Sequence, residues 1–211
     1  LNFYLKLEQK MYNFPYKIYC DMDGVLVDFE GAVVKAINKQ LSSDNPYRPK
    51  AAAKIITKLG RNYIELNDIN KKSPTNSKVV RSYMYALVQD DEEWWATLPW
   101  TPGGKKLWAY IRQFDPEILT APMDKGGKTG SLPGKLQWVE KNLKISSERV
   151  NFEHDKWKYA TSDDGKQNIL IDDFESKISP WRAAGGIGIL HLNADNTIKI
   201  LELLEDTHEV P

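Results

Sequence analysis

The chain has 211 residues, enough to bury a real core as one domain with a sizeable insertion or as two small ones. Its 29 Lys and Arg match its 29 Asp and Glu, which excludes a global pull toward nucleic acid, an anionic membrane or an acidic partner but allows a small phosphorylated ligand held by local charges. A single cysteine, Cys20, leaves no intrachain disulfide to form, and no apolar run approaches the roughly 20 residues that span a bilayer, so a cytoplasmic protein with no membrane contact is expected.

In chain order, residues 1–15 read as an N-terminal extension, interrupted by Lys6, Glu8 and Lys10 where a secretory segment would be apolar. "KIYC" then leads into Asp21 as a short buried strand, with Cys20 as a small core residue. Residues 32–98 carry helical spacing in "AVVKAINKQL", "AAAKIITKLG", "KVVRSYMYALVQ" and "EEWWATL", joined by "SSDNPYRP" and "NKKSPTNS". They are expected to form a helical cap inserted after the first strand. Thr101-Pro102 signals the start of the next helix, followed by the strand "EILT". Pro133 precedes the helix "GKLQWVEKNL", and a further strand is expected before "EHDKWKY". "NILI" before Asp172 and "IGILH" are the last strands, separated by a helix "WRAA" that Ser179-Pro180 opens and Gly185-Gly186 closes. Short Ile- and Leu-rich runs without polar alternation fit strands buried on both faces, and their alternation with helices predicts a doubly wound, parallel α/β sheet. The expected core is 16–31 and 99–211.

The chemistry concentrates at strand ends, where open α/β sheets bind ligands. Asp21 and Asp23 lie two residues apart and point the same way in extended backbone, and Asp172 and Asp173 end another strand. Either pair alone reads equally well as an acidic turn. If the two strands are neighbours, so much like charge in one crevice calls for shifted pKa values or a hard, oxygen-seeking cation such as Mg²⁺.

"DMDGVLVDF", "ILT" ending at Thr120, a lysine before the last strand, and "ILIDD", in that order, resemble the four motifs of the haloacid dehalogenase superfamily of phosphotransferases. "LPWTPGG", "ILTAP", "GKLQWVEKNL", "HDKWKYA" and "WRAAGGIGILH" are similar to the 5′(3′)-deoxyribonucleotidases and their bacterial and phage relatives. The resemblance covers most of residues 17–192, least clearly the insertion, and implies a Rossmann-like core with a cap. It implies that Asp21 is the nucleophile forming an aspartyl-phosphate, and that Asp23 is general acid toward the leaving group and then base toward water. Mg²⁺ would be held by Asp21, the Asp23 backbone carbonyl and a fourth-motif aspartate, with Asp173 as ligand and Asp172 as its support. Thr120 would hold a phosphate oxygen, helped by N–H groups around Ala121 and Met22; where many relatives carry Ser, this chain has Ala121. Lys156 best matches the third-motif lysine, ahead of Lys158, and Lys135 matches a phosphate-side lysine of the nucleotidases. Phe29 corresponds to their base-stacking ring, and Trp94 and Trp95 lie in the cap as further substrate contacts or as helix-packing core.

Other signals are weaker. "PMDKGGKT" at 122–129 lacks the leading glycine of a phosphate loop, "TSDDGKQN" reads as a turn, and His154, His191 and His208 have no metal-ligand spacing. The expectation is therefore an Mg²⁺-dependent phosphatase acting on the 5′, or also 3′, phosphate of deoxyribonucleoside monophosphates. Its partner is a small nucleotide, with no nucleic-acid polymer; a homodimer is compatible. Three alternatives are a phosphatase of polynucleotide ends, which needs a basic track that the balanced charge does not suggest, a phosphatase of another small phosphometabolite, and a non-catalytic phosphometabolite-binding module.

Overall fold

A computed structural model describes residues 14–42, 49–69, 78–123 and 130–206. The extension up to residue 13, most of "SSDNPYRP", all of "NKKSPTNS", residues 124–129 of the glycine-rich loop and His208 lie outside the described residues. By compactness the chain forms two units, one of Leu1–Val27, Trp100–Ala121 and Leu143–Pro211, the other of Asp28–Pro99 and Pro122–Asn142. The second is wider than the segment 32–98 read as a cap, because it takes in Phe29 at one end and the segment Pro122–Asn142.

The first unit is built on five parallel strands: β1 (Ile18–Cys20), β2 (Glu117–Thr120), β3 (Val150–Phe152), β4 (Ile169–Asp172) and β5 (Ile187–Leu190), in the order β3-β2-β1-β4-β5. β1 and β4 are buried along their whole length, which is why their sequences show no polar alternation. Cys20 pairs with Ile118 on one side and Ile171 on the other, so the ends of β2, β1 and β4 come level. The strand order reverses between β1 and β4, and a sheet of this kind leaves its ligand crevice at that reversal, outside the carboxyl ends. Beneath, Tyr19, Leu119, Ala160, Leu170, Ile178 and Trp181 form a core cluster.

The helices of this unit depart from their sequence signals in instructive ways. The helix expected from Thr101-Pro102 runs Gly104–Ile111, because the Thr101 hydroxyl is spent on the Val25 carbonyl (2.7 Å) and not on a cap. The helix expected to open at Ser179-Pro180 spans Glu175–Ala183 with Pro180 inside it. Burial of Ile178 and Trp181 against the sheet outweighs the missing proline N–H on an exposed turn. A further helix, Ala194–Asp206, follows β5; Asn193 Oδ1 caps it by accepting the Asn196 N–H (2.9 Å), and an Asn ahead of Ile198 and Leu201 is the local signal for its start.

The second unit is helical: α1 (Phe29–Leu41), α2 (Lys50–Leu59), α3 (Leu66–Ile69), α4 (Lys78–Val88), α5 (Glu92–Ala96) and most of a longer helix, α6 (Ser131–Leu143). All four helical patterns read in the insertion are helices. Asp28 caps α1 by accepting the Gly31 N–H (3.0 Å), and Asp91 caps α5 by accepting that of Trp94 (2.9 Å). Asn38 exchanges two hydrogen bonds with the Ile64 backbone (2.7 and 3.0 Å). The buried Asp68 accepts from Arg61 (2.6 Å) and from the Glu65 N–H (2.7 Å). The two bonds to Asp68 leave a buried carboxylate satisfied, as a small core requires.

Candidate active site

Asp21 follows β1 directly, and its N–H donates to the Ile171 carbonyl (2.9 Å), so the β1–β4 ladder carries its carboxylate to the strand-end crevice. The next residues fold back around one acceptor: the Met22 carbonyl receives the N–H groups of Val25 (3.3 Å), Leu26 (2.9 Å) and Val27 (2.9 Å). Gly24 makes this turn possible at φ 79°, and a Cβ there would meet the Asp173 carboxylate, with Cγ only 2.6 Å away. The glycine thus brings the Asp23 turn against the end of β4.

Lys156 sits 2 % exposed in a short 3-10 turn, Lys156–Tyr159, after β3. Its ammonium donates to Asp21 Oδ1 (2.9 Å) and Asp172 Oδ2 (2.6 Å), bridging the ends of β1 and β4. Burial alone would lower the Lys156 pKa; the Asp21 and Asp172 carboxylates more than reverse this and hold it above the ordinary value. Lys158 instead pairs with Glu153 (3.1 Å) and Asp155 (3.4 Å) at the surface.

The two aspartates after β4 have different surroundings. Asp172 has both oxygens engaged, Oδ2 by Lys156 and Oδ1 by the Phe174 N–H (2.8 Å). Asp173 Oδ1 is buried and has no hydrogen-bond partner among the described residues. Burial, then the Asp21 charge, pushes Asp172 up to about 6 and Asp173 up to about 8. One oxygen each from Asp21, Asp172 and Asp173 lies within 4.8 Å of the others. An orphaned carboxylate oxygen, two acids held reluctant to ionise and an all-oxygen donor set together fit a hard divalent cation such as Mg²⁺.

The other expected site residues fall into two groups. Asp23, Thr120 and Ala121 belong to the same unit: Asp23 bridges Val27 in the turn, and Thr120 ends β2 fully buried, its carbonyl accepting the Glu153 N–H (3.1 Å). Phe29, Trp94, Trp95 and Lys135 belong to the helical unit and gather among themselves. Phe29 stacks on Trp95 (5.2 Å between ring centres, 17° between planes), and Trp94 meets both edge-on. The sequence reading missed the Phe174 N–H, a backbone donor that no side-chain pattern announces. Cys20 is buried with its thiol pushed well up by burial, His191 is a buried ring on the Thr197 hydroxyl (2.8 Å), and "TSDDGKQN" is a turn closed by Thr161 and Gln167.

No family model and no curated protein matches the sequence. Among solved structures, a hydrolase from Streptococcus pneumoniae TIGR4 matches with a TM-score of 0.51 at 12 % identity, over 89 % of this chain and 99 % of that one. A HAD family hydrolase from Deinococcus radiodurans R1, with bound phosphate and sodium, matches at 0.45 and 14 %, over 83 % and 80 %. A HAD hydrolase, family IA, variant 3, from Entamoeba histolytica HM-1:IMSS matches at 0.42 and 13 %, over 87 % and 88 %. The first likeness shows a shared α/β fold, in agreement with the parallel sheet.

Proposed function

We propose that the protein is a phosphatase that hydrolyses phosphate monoesters through Asp21, with a deoxyribonucleoside monophosphate as its substrate. The observation that carries the reading is the buried Asp21–Lys156–Asp172 bridge beside the orphaned Asp173 oxygen.

Lys156 draws Asp21 Oδ1 into a fixed orientation, leaving the other oxygen to attack phosphorus and form an aspartyl-phosphate. Asp172 keeps Lys156 charged and in place, so that the ammonium also faces the phosphoryl oxygens. Asp23 gives a proton to the leaving alkoxide and takes one from the water that cleaves the acyl phosphate. Thr120, with backbone N–H groups near Ala121, holds a phosphoryl oxygen. Asp21, Asp173 and the Asp23 carbonyl are the groups that would hold Mg²⁺, which when bound supplies the positive charge that reconciles an anionic nucleophile with an anionic substrate. The nucleotide reading assigns the base to Phe29 and a phosphate contact to Lys135, and it rests on the motifs that resemble the deoxyribonucleotidases.

The test is phosphate release from a panel of nucleotides and small phosphate esters, with and without Mg²⁺, by the unaltered protein and Asp21→Asn. Mg²⁺-dependent release, favouring deoxyribonucleotides and reduced by on the order of a thousandfold or more in Asp21→Asn, is expected for loss of a nucleophile. Release that survives Asp21→Asn would sink the mechanism, and indifference to the nucleoside would return the substrate to another phosphometabolite.

A further inference from the structure

The described part of the helical unit holds two arginines, and their surroundings are opposite. Arg61 donates to Asp68 (2.6 Å) and to the Tyr63 carbonyl (2.8 Å), with its guanidinium 4.5 Å from the Tyr63 ring centre. Arg81, at the end of the first turn of α4, has its Nη1 buried without a hydrogen-bond partner and forms no ion pair among the described residues. The helices packed on α4 bring it no acid. The side chains that α1 and α2 bury, among them Val33, Ile37 and Ile55, are apolar, and the buried carboxylate of α3, Asp68, is taken by Arg61. The first turn of α4 has no acid either, and it carries Lys78, exposed, three residues before Arg81 on the same face. A guanidinium does not shed its proton, so a covered nitrogen without an acceptor is a cost that no pKa shift relieves. The same mark, a charged group with a covered atom that no partner meets, picks out Asp173 in the sheet unit.

We propose that Arg81 is an anion-binding residue of the helical unit, and that it takes a compact oxyanion, a phosphoryl or carboxylate group, from a small-molecule ligand. The proposal is independent of the phosphatase reading. Arg81 as a whole is partly exposed, so a ligand reaches the guanidinium from solvent without opening the core. Its charge is delocalised, and an anion engaging the open edge compensates the covered nitrogen as well. The planar fork meets two oxygens of a phosphate or carboxylate at once, and Lys78 adds a second positive charge on that face.

The experiment follows the guanidinium N–H resonances of Arg81 in protein labelled with ¹⁵N-arginine, assigned by their absence in Arg81→Met and in Arg81→Lys. Inorganic phosphate, acetate and sodium chloride are titrated at matched ionic strength, and because the resonances belong to Arg81, phosphate bound at the Asp21 crevice does not enter the reading. A saturable shift with an oxyanion and none with chloride is expected; the larger response to phosphate assigns a phosphoryl ligand, the larger response to acetate a carboxylate. In chloride alone, Arg81→Met should melt about 2–4 °C above the unaltered protein, since it removes a covered nitrogen that nothing pairs, and it should gain less stability from the preferred oxyanion. Resonances that stay in place in all three salts would overturn the proposal. So would an Arg81→Met protein that melts lower than the unaltered one and keeps the full stabilisation by oxyanion, which would make Arg81 a packing residue.

Discussion

The two units solve opposite burial problems. In the sheet unit, charged groups from the ends of β1 and β4 and the turn after β3 are drawn under cover and held by one another, through Lys156. In the helical unit, by contrast, the rings of Phe29, Trp94 and Trp95 pack on one another, with the buried Lys135 ammonium against Trp95. Buried charges punish the loss of a partner, because what remains is uncompensated; stacked rings lose area by degrees. The first arrangement suits chemistry that needs fixed charge, and the second suits recognition that can be tuned.

The contrast breaks most sharply at Lys156. Lys156→Ala leaves Asp21 and Asp172 buried together without their cation, at a cost of about 3–5 kcal/mol. A fall in Tm on the order of 10 °C at neutral pH is expected in the metal-free protein, with turnover lost. A thermal melt close to that of the unaltered protein would show that the bridge is not what holds the two strand ends.

The acids after β4 sharpen the comparison through pH. Asp172 and Asp173, held near about 6 and about 8, bind protons in the folded state that unfolded aspartates, with pKa about 4, have released. Stability from these groups is therefore full below about pH 4 and is lost as pH rises toward about 8. Metal-free protein should lose about 5 °C in Tm across the upper part of that window, and Mg²⁺ should stabilise it more at about pH 8 than at about pH 6. Melts with and without chelator check this; Mg²⁺ stabilisation that does not grow with pH would contradict it.

A smaller effect is expected in the helical unit. Gly134→Ala forces a methyl toward Trp95 and the Glu92 carbonyl, at a cost of about 1–3 kcal/mol as the helices part. Nucleotide KM should rise more than kcat falls, seen in steady-state kinetics. A fall in kcat with KM unchanged would mean that the ring stack serves the chemistry directly.

What could be read from sequence follows the same division. Strand ends are local: an apolar run, an acid or Thr120, then a glycine or a break, and the parallel sheet then fixes which ends are neighbours. The helical pattern of the insertion was equally local. The different surroundings of Asp172 and Asp173 were expected only by resemblance, since they depend on which oxygen meets Lys156 and the Phe174 N–H, contacts that no spacing encodes. Trp95 shows the other limit: its aromatic type suits both a ligand platform and a core, and only the arrival of α6 through Gly134 distinguishes them. Pro180 inside a helix is the case where packing overrode a sound local rule.

The central claim is a covalent phosphoryl group on Asp21, and competition between water and an alcohol tests it most directly. With methanol added, a common aspartyl-phosphate partitions into methyl phosphate and phosphate in a ratio that does not depend on the leaving group. The same ratio is expected from a deoxyribonucleoside monophosphate and from 4-nitrophenyl phosphate. A ratio that changes with the leaving group would contradict the account, because the alcohol would then be attacking the substrate itself and Asp21 would not be the nucleophile.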